Sequence, residues 1–304
     1  MVTAQLTPIS VGIHNVLIAT DFSRCSNQAL DTGLKLAKSY EAQAYVVMVV
    51  PSDEFMIAGP EAYVAAKDAA RRDLEGLKTE LQSTHSYIEG SDYHLYLLEG
   101  DVAQSILTFA SETHIDLIVL GTHGRGGLGK ALMGSVAEKV FRRSAVPVLT
   151  IGPHVRRATQ ALTPRNILVA ADFTPAAERA AHFAVGMAAE HHAKLTLLHA
   201  VNPKDMDHVP DQDRVVHEVE TKLLNLLGAD CPVEPVTRVE CGRVVNAILQ
   251  AEREIEADLL VIGVHRPAGM LNRFMWPHAY EIVRESSCPV VTVRELATQT
   301  SVRN

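Results

Sequence analysis

The segment "HNVLIATDFSRCSNQAL", residues 14–30, decides the fold because the chain contains it twice. The second copy, "RNILVAADFTPAAERAA", occupies residues 165–181 and aligns Asp172 with Asp21. In each copy an uninterrupted apolar run leads to an acidic residue and then to a stretch with helical periodicity. Continuous hydrophobicity is typical of a parallel strand buried on both faces. Each copy therefore predicts a strand, a turn and a helix.

The similarity between the two halves continues along the chain. "GDVAQSILTFASETHIDLIVLGTHG" at 100–124 matches "GRVVNAILQAEREIEADLLVIGVHR" at 242–266, and "SAVPVLTI" at 144–151 matches "SSCPVVTV" at 286–293. A repeat of about 145 residues is long enough for each copy to fold as a domain.

We therefore expect two domains, residues 1–152 and residues 165–304, joined by a linker at 153–164. Within each copy, short apolar runs alternate with helical segments. This alternation predicts an α/β fold. Each domain is expected to be an open, doubly wound, five-stranded parallel sheet of order 3-2-1-4-5, with helices on both faces.

The composition is that of an ordinary globular protein. The 304 residues are 47% hydrophobic, and the formal net charge of −8 argues against a broad nucleic-acid-binding surface. No apolar stretch approaches the roughly 20 residues that span a bilayer, and the amino terminus lacks a secretory pattern. The four cysteines include no C-x-x-C pair, which favours a reducing compartment. We expect a cytoplasmic protein that binds neither nucleic acid nor membrane.

A glycine-rich stretch, "GTHGRGGLGKALMGS" at 121–135, follows the fourth strand of the first copy. Three patterns fit it: G-x-G-x-x-G, G-x-x-x-x-G-K and the wider G-x2-G-x9-G-S. The first belongs after the first strand of a dinucleotide-binding fold, and the second requires Ser or Thr where the chain has Ala131. We retain the wide pattern, which places glycines at the strand exit and at the helix entry.

The expected topology brings the acidic residue and the glycine loop together. Ligands of open parallel sheets bind beyond the carboxyl ends of the strands, where the winding direction reverses. That point lies between strand 1, which ends at Thr20 and Asp21, and strand 4, which ends at Leu120 and Gly121. The next helix is expected to begin near Gly134, where exposed N–H groups and the helix dipole favour a phosphate.

These same segments resemble the universal stress protein family, over both halves of the chain. The resemblance rests on "VLIATDFS", "DLIVLGTHGRGGLGKALMGSVAEKV" and "SAVPVL". Family members of this kind bind ATP, so the resemblance implies that Asp21 and Val49 lie against adenine and ribose. It also implies backbone and hydroxyl contacts to the phosphates, with Mg²⁺ or Mn²⁺ held by the phosphates themselves. The implied phosphate contacts are Gly121, Gly124, Gly134 and Ser135.

Further residues complete the candidate nucleotide site. Arg125 and Lys130 can neutralise phosphate charge as loop cations. His123 recurs as His265 in the second copy, so a ligand contact and a structural role at the end of strand 4 both stay open. We predict no catalytic residue and no metal ligand from the protein. The full candidate set is Thr20, Asp21, Val49, Leu120, Gly121, His123, Gly124, Arg125, Lys130, Gly134, Ser135 and Val136.

The second copy keeps the place of the loop and loses its groups. Gly124 is replaced by Arg266 and Gly134 by Trp276, which put large side chains where backbone would meet phosphate. Pro277 removes one N–H donor at the helix start. We predict that the carboxy-terminal half does not bind ATP through this motif, while recruitment of a different anion by Arg266 stays open.

Three functions fit the sequence. The first is an ATP-binding stress-response or signalling protein that acts on an unidentified protein partner. The second is a slow ATPase or self-phosphorylating enzyme, in which Ser135 accepts a phosphoryl group. The third is a dimerisation module without a ligand. The family resemblance also implies that the last strands, "VPVLTI" and "CPVVTV", pair across a pseudo-twofold axis to form an internal dimer, and a homodimer stays open.

Overall fold

The computed structural model describes residues 11–52, 59–84, 87–122, 134–156, 163–206, 211–265 and 276–295. It confirms an α/β fold in which ten strands form one sheet, with parallel pairing predominating. The strands are β1 (Asn15–Ala19), β2 (Gln43–Val50), β3 (Tyr93–Glu99), β4 (Leu117–Gly121), β5 (Val148–Ile151), β6 (Asn166–Ala170), β7 (Lys194–Val201), β8 (Val236–Cys241), β9 (Leu259–Val264) and β10 (Val290–Arg294). The helices are α1 (Arg24–Ser39), α2 (Pro60–Thr84), α3 (Val102–Glu112), α4 (Ser135–Arg143), α5 (Pro175–His191), α6 (Pro203–Met206), α7 (Gln212–Asn225), α8 (Val244–Glu254) and α9 (Trp276–Glu285).

The strand order is β3-β2-β1-β4-β5-β10-β9-β6-β7-β8. The amino-terminal half contributes the strands in the order β3-β2-β1-β4-β5. The carboxy-terminal half contributes the equivalent strands in the reverse order, β10-β9-β6-β7-β8. All neighbours within a half are parallel. The two halves meet where β5 pairs with β10 in antiparallel fashion. As a result, the carboxyl ends of the strands in one half lie at the same sheet edge as the amino ends of the strands in the other.

The sheet is buried on both faces, which explains the uninterrupted apolar runs of the sequence. Successive strand residues point to opposite faces, so Val16 and Ile18 pack in one core cluster while Leu17 packs in the other. Helices α1, α2, α5 and α7 cover the first face. Helices α3, α4, α8 and α9 cover the second. Within the described ranges, no helix has both the length and the apolarity that crossing a bilayer requires.

The helices after the first strand of each half start at the hydroxyl residues of the repeat. Ser23 caps α1 and accepts a hydrogen bond from the N–H of Ser26 at 3.4 Å. Thr174 caps α5 and accepts one from Ala177 at 3.3 Å, and Pro175 takes the first helical position. The sequence predicts this second cap because proline fits the first turn of a helix without losing a hydrogen bond.

An approximate twofold axis relates the two halves. Leu149 on β5 lies opposite its repeat equivalent, Val291 on β10. The hydroxyls of Thr150 and Thr292, also equivalent in the repeat, each donate to a carbonyl of the opposite strand, over 3.0 and 3.4 Å. The sheet therefore continues across the axis with matching contacts on either side.

The axis also brings together the ends of α1 and α5. Tyr40 and His191, equivalent in the repeat, lie with Oη and Nε2 2.7 Å apart, and the Tyr40 hydroxyl is 3.0 Å from the sulfur of Met187. Burial lowers the pKa of His191, partly opposed by the carboxylate of Glu190. The neutral form of the His191 imidazole is therefore favoured, and its Nε2 can accept a hydrogen bond from the Tyr40 hydroxyl.

Candidate functional site

The structure brings the ends of β1 and β4 together at one edge of the sheet. Ala19 pairs with Leu120 as the last parallel register position of these strands. The chain continues from β1 to Thr20, whose N–H donates to the carbonyl of Val47 on β2 at 3.0 Å. The predicted strand-end residues of the candidate set therefore lie around one crevice, next to Gly121.

A tight turn holds Asp21 at this crevice. The N–H of Ser23 donates to Oδ1 of Asp21 at 3.0 Å, and the N–H of Phe22 donates to the hydroxyl of Thr20 at 3.1 Å. Phe22 has a φ of 58°, a left-handed conformation that is uncommon for a non-glycine residue. Short polar side chains that bond to the backbone two residues on are typical of such turns. The turn fixes the carboxylate at the carboxyl end of β1, while the hydroxyl of the buried Thr20 serves the turn itself.

Gly121 has a packing role that the sequence does not reveal. A Cβ atom at this position would lie 2.7 Å from the carbonyl carbon of Cys25 and from the nitrogen of Ser26. A Cβ at Gly263, its repeat equivalent, would lie 2.5 Å from the carbonyl carbon of Ala176. Only glycine lets the first turn of the helix approach the strand so closely. This explains why the glycine persists in the half that has lost the rest of the loop pattern.

The two ends of the glycine loop are joined by a hydrogen bond. The N–H of Gly134 donates to the carbonyl of the fully buried Thr122 at 2.6 Å, and the N–H of Thr122 donates to Ile151 on β5 at 3.0 Å. The loop therefore leaves and re-enters the fold at one point beside β4. Four residues of the candidate set lie outside the described residues: His123, Gly124, Arg125 and Lys130.

Helix α4 begins where the sequence predicts. Gly134 is its N-cap, with an extended backbone, and makes no side-chain cap hydrogen bond. Ser135 is the first helical residue and is exposed, and Val136 is half-buried. The first N–H groups of a helix have no partner within the helix, so a cap without a side chain leaves room for an anion.

Val49 lies on the same face of the sheet as α4. Val49 and Val136 both pack against the core cluster under α3 and α4. Asp101, the N-cap of α3, also contacts Lys139 of α4 at 3.2 Å, which ties the two helices together. The predicted adenine side and the predicted phosphate side therefore share one face of the sheet, on either side of the end of β1.

The equivalent crevice of the carboxy-terminal half contains an ion pair. His265, directly after β9, places Nε2 2.9 Å from Oδ2 of Asp172, which lies two residues beyond the end of β6. Burial raises the pKa of Asp172, but hydrogen bonds from His265 and Thr174 outweigh it and leave that pKa lowered. The hydrogen bond to Asp172 raises the pKa of His265 against the opposing effect of burial. For His265 the structure thus shows a structural role, a bridge between the first and fourth strands of its half.

A second histidine of this crevice was not identified from the sequence. His199 on β7 lies with Nδ1 2.7 Å from the carbonyl of Ala171, and its ring packs on Phe173 with centroids 4.5 Å apart. The repeat aligns it with Met48, so no polar signal marks the position. Among the described residues, no three His, Cys, Asp or Glu side chains are grouped closely enough to hold a metal ion.

These features define an open α/β domain with a switch-point crevice, present twice. One crevice ends at a helix whose N-cap is glycine, and the other holds the hydrogen-bonded pair of His265 and Asp172. Comparison with known proteins agrees. The sequence model of the Universal stress protein family matches residues 12–152 and again residues 163–294, so the chain belongs to this family.

Relatives resemble either one half or the whole chain. Universal stress protein MJ0531 of Methanocaldococcus jannaschii is 32% identical over 138 residues, 45% of this chain and 80% of the relative. Universal stress protein Rv1996 of Mycobacterium tuberculosis is 26% identical over 310 residues, 92% of this chain and 94% of the relative. A crystal structure of a universal stress protein from Archaeoglobus fulgidus superposes with a TM-score of 0.67 at 21% identity, covering 92% and 98% of the two chains. The tandem arrangement is therefore shared with proteins of the same family.

Proposed function

We propose that this universal stress protein binds ATP in the crevice of its amino-terminal half and acts on a protein partner as a nucleotide-dependent signalling protein. One observation carries the proposal: α4 starts at Gly134 without a side-chain cap, beside the turn that fixes Asp21. An uncapped helix start at the switch point of a parallel sheet is a favourable place for a phosphate.

Four of the described residues of the candidate set have a chemical role in this proposal. Val49 offers an apolar contact to the base, and Asp21 accepts hydrogen bonds from the nucleoside. Ser135 donates its hydroxyl and its N–H to the phosphates, and Gly134 keeps the helix entry free of side-chain atoms. A divalent ion, Mg²⁺ or Mn²⁺, would be held by the phosphates.

The carboxy-terminal half lacks the loop groups on which the proposal depends, since Arg266, Trp276 and Pro277 replace Gly124, Gly134 and Ser135. Its Asp172 is bonded to His265 and to the backbone and hydroxyl of Thr174. We therefore propose one nucleotide per chain.

The repeat provides a matched pair of variants for the test. Asp21→Asn and Asp172→Asn make the same change at equivalent positions of the two halves, and ATP binding is measured by equilibrium dialysis in the presence of Mg²⁺. We expect one ATP per chain, an affinity at least tenfold lower for Asp21→Asn because a charge-assisted hydrogen bond contributes about 1.5–3 kcal/mol, and no change for Asp172→Asn. Two ATP per chain, or equal effects of the two variants, would contradict the proposal.

Two further variants distinguish ATP binding from ATP hydrolysis when the dialysis is combined with a turnover assay. Gly124→Arg copies the residue of the second half and should weaken ATP binding by blocking the approach of backbone to phosphate. Ser135→Ala tests the alternative enzyme function. Turnover that disappears in Ser135→Ala while ATP affinity is kept would assign the serine to catalysis and favour a phosphoryl-transfer activity over a binding role.

A further inference from the structure

A cleft of about 890 Å³ lies between the two halves. One wall is formed by the first turns of α1 and by residues 153–156 after β5. The other is formed by residues 252–258, where α8 leads into β9, and by residues 285–288, where α9 leads into β10. Clefts of this size between domains are common sites for small ligands. None of its lining residues belongs to the candidate nucleotide set, and the cleft is not part of the function proposed above.

Three arginines from three different elements line the cleft. Arg24 is on α1, Arg156 follows β5, and Arg253 is on the last turn of α8. All three are exposed. Within the described ranges none of them has a carboxylate within ion-pair distance, whereas arginines elsewhere on the surface, such as those that pair with Asp68 and Glu138, do.

The carboxylates at the back of the cleft already have hydrogen-bond partners. Glu252 is only 2% exposed and accepts from the hydroxyl of Ser286 at 2.8 Å and from the N–H of Ser287 at 2.7 Å. Asp258 is 8% exposed and accepts from the backbone N–H groups of residues 165 and 166, at 2.8 and 3.1 Å. These two carboxylates belong to the inner wall of the cleft and are almost fully buried.

The accessible groups are predominantly basic. Glu285 is neutralised by an ion pair with Arg284 at 2.7 Å, which leaves Glu256 as the exposed carboxylate of the lining. Arg24 adds to the positive potential because it is the first residue of α1, and the first turn of α1 contains no acidic residue. A cation at that end of a helix is opposed by the helix dipole, so its position there is costly unless an anion is bound.

We propose that this cleft binds a small, multiply charged anion that carries phosphate or carboxylate groups, and that Arg24, Arg156 and Arg253 hold it. Guanidinium groups bind both kinds of oxyanion through paired hydrogen bonds. Arg24 belongs to the amino-terminal half, Arg156 to the segment between the halves, and Arg253 to the carboxy-terminal half. A bound anion therefore bridges the halves and stabilises their association by the free energy of its binding.

The experiment uses the full chain with two probes, inorganic tripolyphosphate and citrate, in isothermal titration calorimetry at low ionic strength. The double variant Arg156→Gln/Arg253→Gln removes two of the three cations, and Arg214→Gln, an exposed arginine on α7, is the matched control. We expect at least tenfold weaker binding in the double variant and unchanged binding in the control. Binding of tripolyphosphate alone supports a phosphate ligand, binding of citrate alone a carboxylate ligand, and binding of both the shared chemistry.

Hydrogen exchange locates the bound probe. The proposal requires slower exchange in peptides that cover residues 153–156 and 252–258, whereas a probe in the nucleotide crevice would protect the start of α4. The proposal is overturned if neither probe binds the native chain, if binding survives in the double variant, or if protection is confined to α4. A double variant that only loses thermal stability, with no binding in the native chain, would show that the arginines balance the buried Glu252 and Asp258 instead.

Discussion

Asp172 and His265 form a hydrogen-bonded pair in the crevice of the carboxy-terminal half. The ion pair raises the pKa of His265 and lowers that of Asp172. The contribution of His265 to the free energy of unfolding is fully present below the ordinary histidine pKa of about 6.5, and it is lost as the pH rises through the raised pKa. The aspartate contribution is complete above its ordinary pKa of about 4 and is lost as the pH falls through the lowered value. The pair therefore stabilises the fold most between about pH 4 and pH 6.5.

His265→Gln tests this window. The side chain of Asp172 is 51% exposed, so solvent screening limits the loss to about 1 kcal/mol of unfolding free energy at pH 5.5. The loss should shrink toward pH 8.5, because a rise in pH through the raised pKa of His265 removes the imidazole charge. Urea unfolding at the two pH values measures it, with the exposed His182→Gln as the control. An equal loss at both pH values would mean that packing, and not charge, is responsible.

Gly121 makes a second prediction at the residue scale. Gly121→Ala forces a Cβ within 2.7 Å of the backbone of α1, and we expect it to lower the unfolding free energy by about 1–3 kcal/mol. Gly263→Ala should do the same in the other half. Gly76→Ala on α2 is the control, since no heavy atom lies within 4 Å of the added Cβ. A Gly121→Ala chain of unchanged stability that only loses ATP affinity would assign this glycine to the ligand alone.

At the scale of elements, the sequence predicts the features that depend on residues close together in the chain. Apolar runs of strand length, the cap of α5 and the start of α4 all follow from short-range chemistry. The packing role of Gly121 does not, because the atoms that require it belong to a helix almost a hundred residues earlier in the chain. The pairing of His265 with Asp172 likewise spans 93 residues, and only the shared position of the two histidines suggested a structural role.

The N-caps of α3 and α8 give a prediction for equivalent elements. Asp101 accepts from the N–H of Gln104 at 2.8 Å, and this bond, with that from Lys139, lowers its pKa. Its repeat equivalent, Arg243, makes no side-chain cap bond. Asp101→Ala should cost about 1 kcal/mol near neutral pH, and less as the pH falls through the lowered pKa, while Arg243→Ser should add up to about 1 kcal/mol.

Guanidinium unfolding at pH 7 measures both changes. The gain in Arg243→Ser is reduced by the loss of the ion pair with Glu281, which is 3.3 Å long and mostly exposed on the arginine side and therefore weak. Arg243→Ala separates the two effects, since it loses the same ion pair without adding a cap. If Arg243→Ser were no more stable than Arg243→Ala, the start of α8 would not be limited by its cap.

The described part of the chain forms one sheet with two large core clusters, one on each face, and a smaller cluster under α2. Each large cluster contains residues of both halves, such as Leu149 with Val291 on one face and Val148 with Val290 on the other. The two arginine-bearing walls of the interdomain cleft meet only because β5 and β10 pair in antiparallel fashion. That geometry depends on contacts between the halves, which is why the repeat alone does not reveal the cleft.

A continuous core predicts that the two halves unfold together. The chain has a single tryptophan, Trp276 in α9, so its fluorescence reports on the carboxy-terminal half while far-ultraviolet circular dichroism reports on both. We expect coincident urea transitions by the two probes in the native chain. Leu149→Lys places a charge at a site that is 1% exposed, on the strand next to the twofold axis, and should cost more than about 3 kcal/mol.

Leu149→Lys should lower the stability of the β5–β10 junction and of the amino-terminal half. The urea transitions measured by fluorescence and by circular dichroism should then no longer coincide. Val236→Lys, on the exposed edge strand β8 where the valine is 60% exposed, adds the same charge without burial and should leave the transitions coincident. Transitions that already differ in the native chain would show that the halves are independent domains that share strand hydrogen bonds without sharing cooperativity. Coincident transitions in Leu149→Lys at lower stability would instead show that the cooperative unit extends well beyond the β5–β10 junction, through the packing of α1 and α5 across the same axis.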